Sequence, residues 1–245
     1  MVIKNIRLMN ILFPMAGRGT RTLSYGEVKP LIKIKMKPMI QWAIESLNID
    51  GQYIFITRDY ENDEWNNELT ELLNIIVPDA IIHRINYITD GPACSALLAK
   101  EDINNDVSLL ITNSDQIFEW DSKDFEHSLE RNDIDGLVST WDKIAETESF
   151  IELNEDGYGV RLIEKEIISD HPLNGLHFWK KGKYFVKSAE DMIADNKRSG
   201  NGEFYISETY NYMIKDGYKI GTYPMTSKQH WPVGISSDID KYLNR

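Results

Sequence analysis

A Rossmann-like α/β fold, with a mixed, mainly parallel sheet flanked by helices, is predicted by three features of the sequence. Short apolar runs rich in Ile, Leu, Val and Phe alternate with stretches of helical periodicity, the pattern of a sheet wrapped by helices. Three strand-and-helix units fall within about the first hundred residues, and consecutive units of this kind give parallel strands. The run Val107 to Thr112 is apolar enough for a central strand covered on both faces.

Arg7 to Met15 is the first expected strand. After a polar loop, Ile40, Ala43, Ile44 and Leu47 recur at helical spacing, which predicts a helix over Pro38 to Leu47 with one buried stripe. Gln52 to Thr57 follows as a strand, and Leu69, Leu72, Leu73 and Ile76 mark an amphipathic helix. A strand at Ala80 to Ile88 and a helix at Ala93 to Ile103 complete the third unit. The second half is less regular. Strands are expected at Ile134 to Thr140, Tyr158 to Ile163 and Leu173 to Trp179, and helices at Lys183 to Asn196, Ile206 to Lys215 and Ser237 to Leu243. The polar stretch Asp195 to Gly202 reads as a loop. With no repeat, low-complexity tract or linker, the 245 residues are expected to form a single domain.

A net charge of -12 argues against a sequence-independent grip on nucleic acid, which needs surplus Lys and Arg. An anionic substrate must then be met by local cations. The single cysteine, Cys94, excludes an intrachain disulfide and a cysteine metal cluster, and reads as a small buried helix residue because nothing nearby lowers its pKa. No stretch approaches the ~18 apolar residues of a membrane span, and the N-terminal residues lack the apolar core and cleavage site of a secretory signal. A cytoplasmic protein is the expectation.

The strongest chemical signal is the loop Ala16-Gly17-Arg18-Gly19-Thr20-Arg21, directly after the first strand, with Lys29-Pro30-Leu31 beginning eight residues beyond Arg21. Glycines let main-chain N–H groups converge on oxygen anions, while Arg18, Arg21 and Lys29 add charge-assisted bonds. A Walker A loop would end in Gly-Lys-Ser/Thr, and the dinucleotide fingerprint would have a third glycine near Thr22; neither is present. Asp115 follows the Val107 to Thr112 strand, the end of an open α/β sheet at which ligands bind, and a carboxylate there suits Mg²⁺ as well as it suits a turn cap.

The Gly17, Gly19, Thr20, Arg21, Lys29, Pro30 constellation resembles the sugar-1-phosphate nucleotidylyltransferases, glucose-1-phosphate thymidylyltransferase being the pattern compared most closely. The resemblance implies a nucleotide-diphospho-sugar transferase fold, with a nucleotide-binding half over about 1–120 and an acceptor-binding half over about 121–245. It implies that Ala16 to Thr20 hold a triphosphate, that Arg21 and Lys29 stabilise charge at the reacting phosphorus, and that Asp115 binds Mg²⁺. Asp90-Gly91-Pro92-Ala93 is similar to the segment whose glycine, here Gly91, lets the base lie against backbone; Asp90 reads equally as a helix cap.

Glu164-Lys165-Glu166 resembles a Glu-Lys-Pro motif whose lysine meets the acceptor phosphate, with Glu166 in place of proline. Asn174-Gly175-Leu176 resembles a sugar-pocket strand. Gly202 to Glu208 parallels Gly-Glu-Leu-Glu-Ile-Thr-Asp, which makes Glu203 an acceptor-binding candidate. One departure is plain: the motif's second metal carboxylate falls on Pro232, leaving Asp238 or another carboxylate to substitute, or Asp115 to act with substrate phosphates and water. His230 reads as structural or substrate-lining. The chain ends soon after these anchors, so a short form without a β-helix extension is expected.

The implied partners are an NTP and a small phosphorylated acceptor, a sugar 1-phosphate first, with no nucleic acid or membrane; a homo-oligomer is compatible. Two rivals remain. One is a nucleotidyltransferase for a non-sugar phosphate or phosphonate, of the phosphocholine type. The other is a GT-A type glycosyltransferase, whose Asp-x-Asp motif Ser114-Asp115-Gln116-Ile117 does not supply.

Overall fold

The computed structural model describes residues 9–245. Seven strands form one sheet: β1 (Met9–Met15), β2 (Gly51–Arg58), β3 (Ile81–Ile85), β4 (Leu109–Thr112), β5 (Gly136–Thr140), β6 (Leu173–Trp179) and β7 (Ile220–Pro224), in the order β7-β5-β6-β4-β1-β2-β3. Strand β1 pairs in parallel with β2 and β4, β2 with β3, and β5 with β7, while β6 runs antiparallel to both its neighbours. The predicted mixed, mainly parallel sheet is therefore present. Arg7 and Leu8, which the sequence places in the first strand, lie outside the described residues.

Eight helices accompany the sheet among the described residues: α1 (Met39–Leu47), α2 (Asp63–Ile76), α3 (Pro92–Leu97), α4 (Lys100–Ile103), α5 (Ser122–Leu129), α6 (Gly182–Ala194), α7 (Ile206–Lys215) and α8 (Ser236–Leu243). Alternation along the central strands explains the two-layer coverage. Leu12, Ile54, Ile56, Leu109 and Ile111 face a core shared with α3, α6 and α7. Ile11, Phe13, Tyr53, Phe55 and Leu110 face the opposite core, shared with α1, α2 and α5. All ten of these side chains are buried. A third, smaller cluster joins Tyr242 and Ile239 of α8 to Ile34, Met39 and Val233.

The helix expected over Ala93 to Ile103 is two helices. The N–H groups of Leu98 and Ala99 bond to carbonyls three residues back, Ser95 and Ala96, and this tightening ends α3 before α4 begins. Short strands at Gln116–Phe118, Ser149–Leu153 and His230–Pro232, together with α5 and β7, were not expected from the sequence. The strand Gly159–Glu164 pairs with Ser149–Leu153 as an antiparallel arm, and His230–Pro232 pairs with Gln116–Phe118. These two additions bring the second half of the chain to the mouth of β4.

Candidate active site

Strand β1 ends at Met15, and the chain turns at once through the glycine-rich loop. Gly19 has φ +66°, open to glycine at little cost, and a Cβ there would lie 3.0 Å from Cβ of Lys29. Glycine thus lets the stem of Lys29 run against the loop. Thr22 Oγ1 donates to the Gly19 carbonyl (3.1 Å) and closes a single tight turn over Thr20–Thr22. Lys29–Leu31 forms a second such turn, opened by Pro30. Between them lies a cavity of about 590 Å³, lined by Ala16 to Arg21, Lys29, Gly91, Asn113, Asp115 and Glu203, with Tyr60, Ile88, Thr89 and Ser95 further along. Arg18 and Arg21 are exposed into this space.

Asp115 meets the loop at the end of β4. Lys29 Nζ donates to its Oδ2 at 2.5 Å, and only about a fifth of either side chain is exposed (17% for Lys29, 22% for Asp115). Burial pushes the Asp115 carboxyl upward in pKa, but the charge and hydrogen bond of Lys29, with the charge of Arg21, outweigh it and hold the group below 3.8. Asp115 is an anion with a cation already at its side. Gly234 packs onto it so closely that a Cβ would stand 2.7 Å from Oδ2.

A second cavity of about 550 Å³ adjoins the first, and Arg21, Pro92, Asn113, Asp115 and Tyr205 line both. Antiparallel pairing sets Leu176 opposite Thr112, which carries Asn174 and Gly175 to the same end of the sheet as Asp115. Gly175 has φ +90°, and a Cβ would lie 2.3 Å from Asn113 Nδ2, so glycine is required by both backbone and space. The walls include Trp141, Thr147, Glu148, Ser149, Glu164, Lys165, His177, His230 and Asp238. Glu164 is nearly buried and accepts from Ser149 Oγ and from Ser207 Oγ (3.2 Å); burial raises its pKa, and burial does the same for Glu148. Burial holds His177 and His230 neutral, each with a pKa lowered to about 3. Nδ1 of each, and Nε1 of Trp141, have no hydrogen-bond partner among the described residues. Such a wall is rich in unspent donors and acceptors, the chemistry that recognises hydroxyl groups.

Lys165 has φ +56°, an uncommon conformation for lysine, held by its N–H donating to the Glu148 carbonyl (2.9 Å). Its ammonium donates to Tyr205 Oη at 2.5 Å. Of the residues singled out in the sequence, Ala16 to Arg21, Lys29, Gly91, Asp115 and Glu203 share the first cavity, and Arg21, Asp115, Lys165 and Gly175 share the second. Glu203 lines the first cavity and not the second, where an acceptor role would put it. Bonds from Phe204 N–H to the Asp90 carbonyl and from Ala93 N–H to the Phe204 carbonyl stitch its segment beside Gly91. Tyr205, Glu148, Trp141 and His177 are not singled out by the sequence: Tyr205 and His177 stand within or beside motif segments whose other residues carry the resemblance, Glu148 and Trp141 belong to no motif, and their shared wall arises only on folding.

No three His, Cys, Asp or Glu side chains among the described residues are grouped to hold a metal. Mg²⁺ takes one or two carboxylates when phosphates and water complete its shell, so Asp115 beside the glycine-rich loop fits that ion. Pro232, at the expected second position, pairs with Gln116 and offers no ligand; Asp238 is a carboxylate on the wall of the second cavity.

No protein-family model matches the chain. The structure matches a nucleoside-diphosphate-sugar pyrophosphorylase from Vibrio cholerae with a TM-score of 0.77 at 19% identity, over 96% of this chain and all of that one. The fold is that of a nucleotide-sugar pyrophosphorylase. An inositol-1-phosphate CTP transferase from T. maritima is also similar, with a TM-score of 0.72 at 13% identity over 94% of this chain and 90% of that one. In sequence, the chain is 25% identical over 256 aligned positions to the bifunctional protein GlmU of Methanococcus maripaludis, covering 97% of this chain and 55% of that protein. The chain spans about half the length of the curated relatives it matches. These likenesses bear out the resemblance to sugar-1-phosphate nucleotidylyltransferases first seen in the loop. No helix among the described residues is long and apolar enough to cross a membrane.

Proposed function

We propose that this chain transfers a nucleoside monophosphate from an NTP to a small phosphorylated acceptor, a sugar 1-phosphate first, and releases pyrophosphate. The observation that carries this reading is the meeting of two cavities at Arg21 and Asp115, one walled by a cationic glycine-rich loop and the other by hydroxyl-recognising side chains. The first would take the nucleotide and the second the acceptor, so that the acceptor phosphate approaches the α-phosphorus across the shared wall.

In this reading the protein does little covalent work. Backbone N–H groups of Ala16 to Thr20 hold the polyphosphate, Arg21 and Lys29 neutralise charge developing on the leaving pyrophosphate, and Lys165 holds the attacking phosphate in line. Bound at Asp115, Mg²⁺ would supply a further positive charge that shields the phosphate oxygens and draws electrons from phosphorus. Lys29 would then turn from Asp115 toward the phosphates.

A second reading keeps the chemistry and changes the acceptor to a phosphorylated cyclic polyol, supported by the structural likeness to the inositol-1-phosphate CTP transferase. A glycosyltransferase is disfavoured by Ser114 and Gln116 flanking the lone Asp115. The test is pyrophosphate release from each of the four common NTPs with Mg²⁺, against a panel of sugar 1-phosphates, inositol phosphates and phosphocholine, with product mass by spectrometry. A nucleotidyl product from a sugar 1-phosphate supports the first reading and one from an inositol phosphate the second. Sugar transfer from an NDP-sugar without pyrophosphate formation would refute both.

A further inference from the structure

Tyr205 lines both cavities, and every hydrogen-bonding capacity of its hydroxyl is used. Oη accepts from Lys165 Nζ (2.5 Å) and Asn201 Nδ2 (2.8 Å) and donates to Glu203 Oε2 (2.8 Å). The Lys165 ammonium also stands 4.6 Å from the centre of the Tyr205 ring. Lys165 is thus fixed at both ends, by its left-handed backbone and by one phenol.

Resting on the reading of the two cavities given above, we propose that Tyr205 is a positioning residue that aims Lys165 at the acceptor phosphate without spending its charge. The motif that this segment resembles carries glutamate at the corresponding position, so the tyrosine is a feature of this chain. A carboxylate at 205 would form an ion pair with Lys165 and compete with the acceptor phosphate. A phenol does not. Burial raises the pKa of Tyr205 above 10, so the group stays neutral under the conditions of the reaction. The nearest carboxylate otherwise, Glu164, approaches the ammonium only to 3.9 Å and is turned to Ser149 and Ser207. A phosphate arriving in the second cavity therefore meets a lysine that is already oriented and whose one carboxylate neighbour within ion-pair range, among the described residues, stands 3.9 Å away.

Glu203, on the wall of the first cavity, accepts from the Asn201 amide (2.8 Å) as well as from Tyr205, so its place on the nucleotide side does not hang on the Tyr205 hydroxyl alone.

The experiment compares the full chain with Tyr205→Phe, Lys165→Ala and the double variant in steady-state pyrophosphate release. Tyr205→Phe keeps the ring under the ammonium and removes only the hydroxyl. The expected result is a rise in acceptor KM of roughly tenfold, the scale of one hydrogen bond to a charged group, with NTP KM and melting temperature unchanged. Because Tyr205 acts through Lys165, the double variant is expected to be no worse than Lys165→Ala alone. An unchanged acceptor KM in Tyr205→Phe, or full additivity with Lys165→Ala, overturns the inference while leaving the functional reading intact. A wild-type chain that releases pyrophosphate with no acceptor overturns the functional reading and the inference with it.

Discussion

Replacing Gly91 by alanine should loosen the wall that joins the two cavities, and the size of the effect can be worked from the structure. Gly91 has φ +128°, a region that costs an L-residue about 1–3 kcal/mol. A Cβ there would stand 2.6 Å from both the N and the O of Phe204, main-chain atoms that cannot swing aside as a side chain would. Relief requires the Glu203–Tyr205 segment to withdraw, which strains the Phe204 N–H to Asp90 bond (2.8 Å) and the Ala93 N–H to Phe204 bond (3.1 Å). At about 1 kcal/mol for each bond, the total loss is about 3–5 kcal/mol. For a chain of this length that corresponds to a melting temperature lower by roughly 6–20 °C. Gly17→Ala is the control, since nothing lies within 4 Å of its Cβ position, and its melting temperature should match the wild type. Thermal unfolding by circular dichroism reads both. A Gly91→Ala protein melting within about 2 °C of the wild type would refute the reasoning, since that is the shift expected for under 1 kcal/mol.

Further outcomes follow from the charges. Arg21→Ala should fold as the wild type does, Lys29→Ala should fold with lowered stability because it leaves the mostly buried Asp115 carboxylate without its partner, and both should lose turnover by roughly a hundredfold or more, the scale of removing one transition-state charge contact; wild-type rates in folded variants would contradict their assignment. His177 and His230 have folded pKa values of about 3 against 6.5 when unfolded, so the unfolded chain binds more protons in between. Stability should be intact above about pH 6.5 and fall by about 1.4 kcal/mol per pH unit per histidine as pH drops toward 3. Urea midpoints from pH 7.5 to 4.5 should show a shallower dependence in His177→Phe, and an identical slope would contradict the burial argument. Asp115 works in the opposite sense of cause but the same direction of pH: its depressed pKa contributes stability above 3.8 that is lost as pH falls below that value. Asp115→Asn should remove that lowest-pH component, read as an acid unfolding curve that flattens below about pH 4.

The glycine-rich-loop side of the candidate site was legible because its residues are contiguous. Gly17 to Arg21 and Lys29 stand within one short stretch, directly after a strand, and their glycines and cations suit an oxygen anion. The central strands were legible for a similar reason: Leu12 beside Ile11 and Phe13, or Ile111 beside Leu110, show burial on both faces by composition alone. The rest depends on long-range contacts. Strand β7 contains Gly221 and ends on Pro224, residues that read locally as a turn, and it persists at the sheet edge where such residues are tolerated. Helix α5 buries only Ser122 and Phe125 and begins on the Asp121 cap to Lys123 N–H, which leaves too few apolar positions for a periodicity. The second cavity draws Glu148, His177, Tyr205 and Asp238 from four separate segments of the chain, and no spacing in sequence connects them.

The central claim is that the turn after β1, with Arg21 and Lys29, cradles the polyphosphate of a nucleotide. Isothermal titration of the wild type and of an Arg21→Ala/Lys29→Ala variant with each common NTP in Mg²⁺ addresses it most directly. Saturable binding of at least one NTP to the wild type, weakened by two or more orders of magnitude in the folded variant, is the predicted result. Equal affinity in the two proteins would place the nucleotide elsewhere and contradict the account.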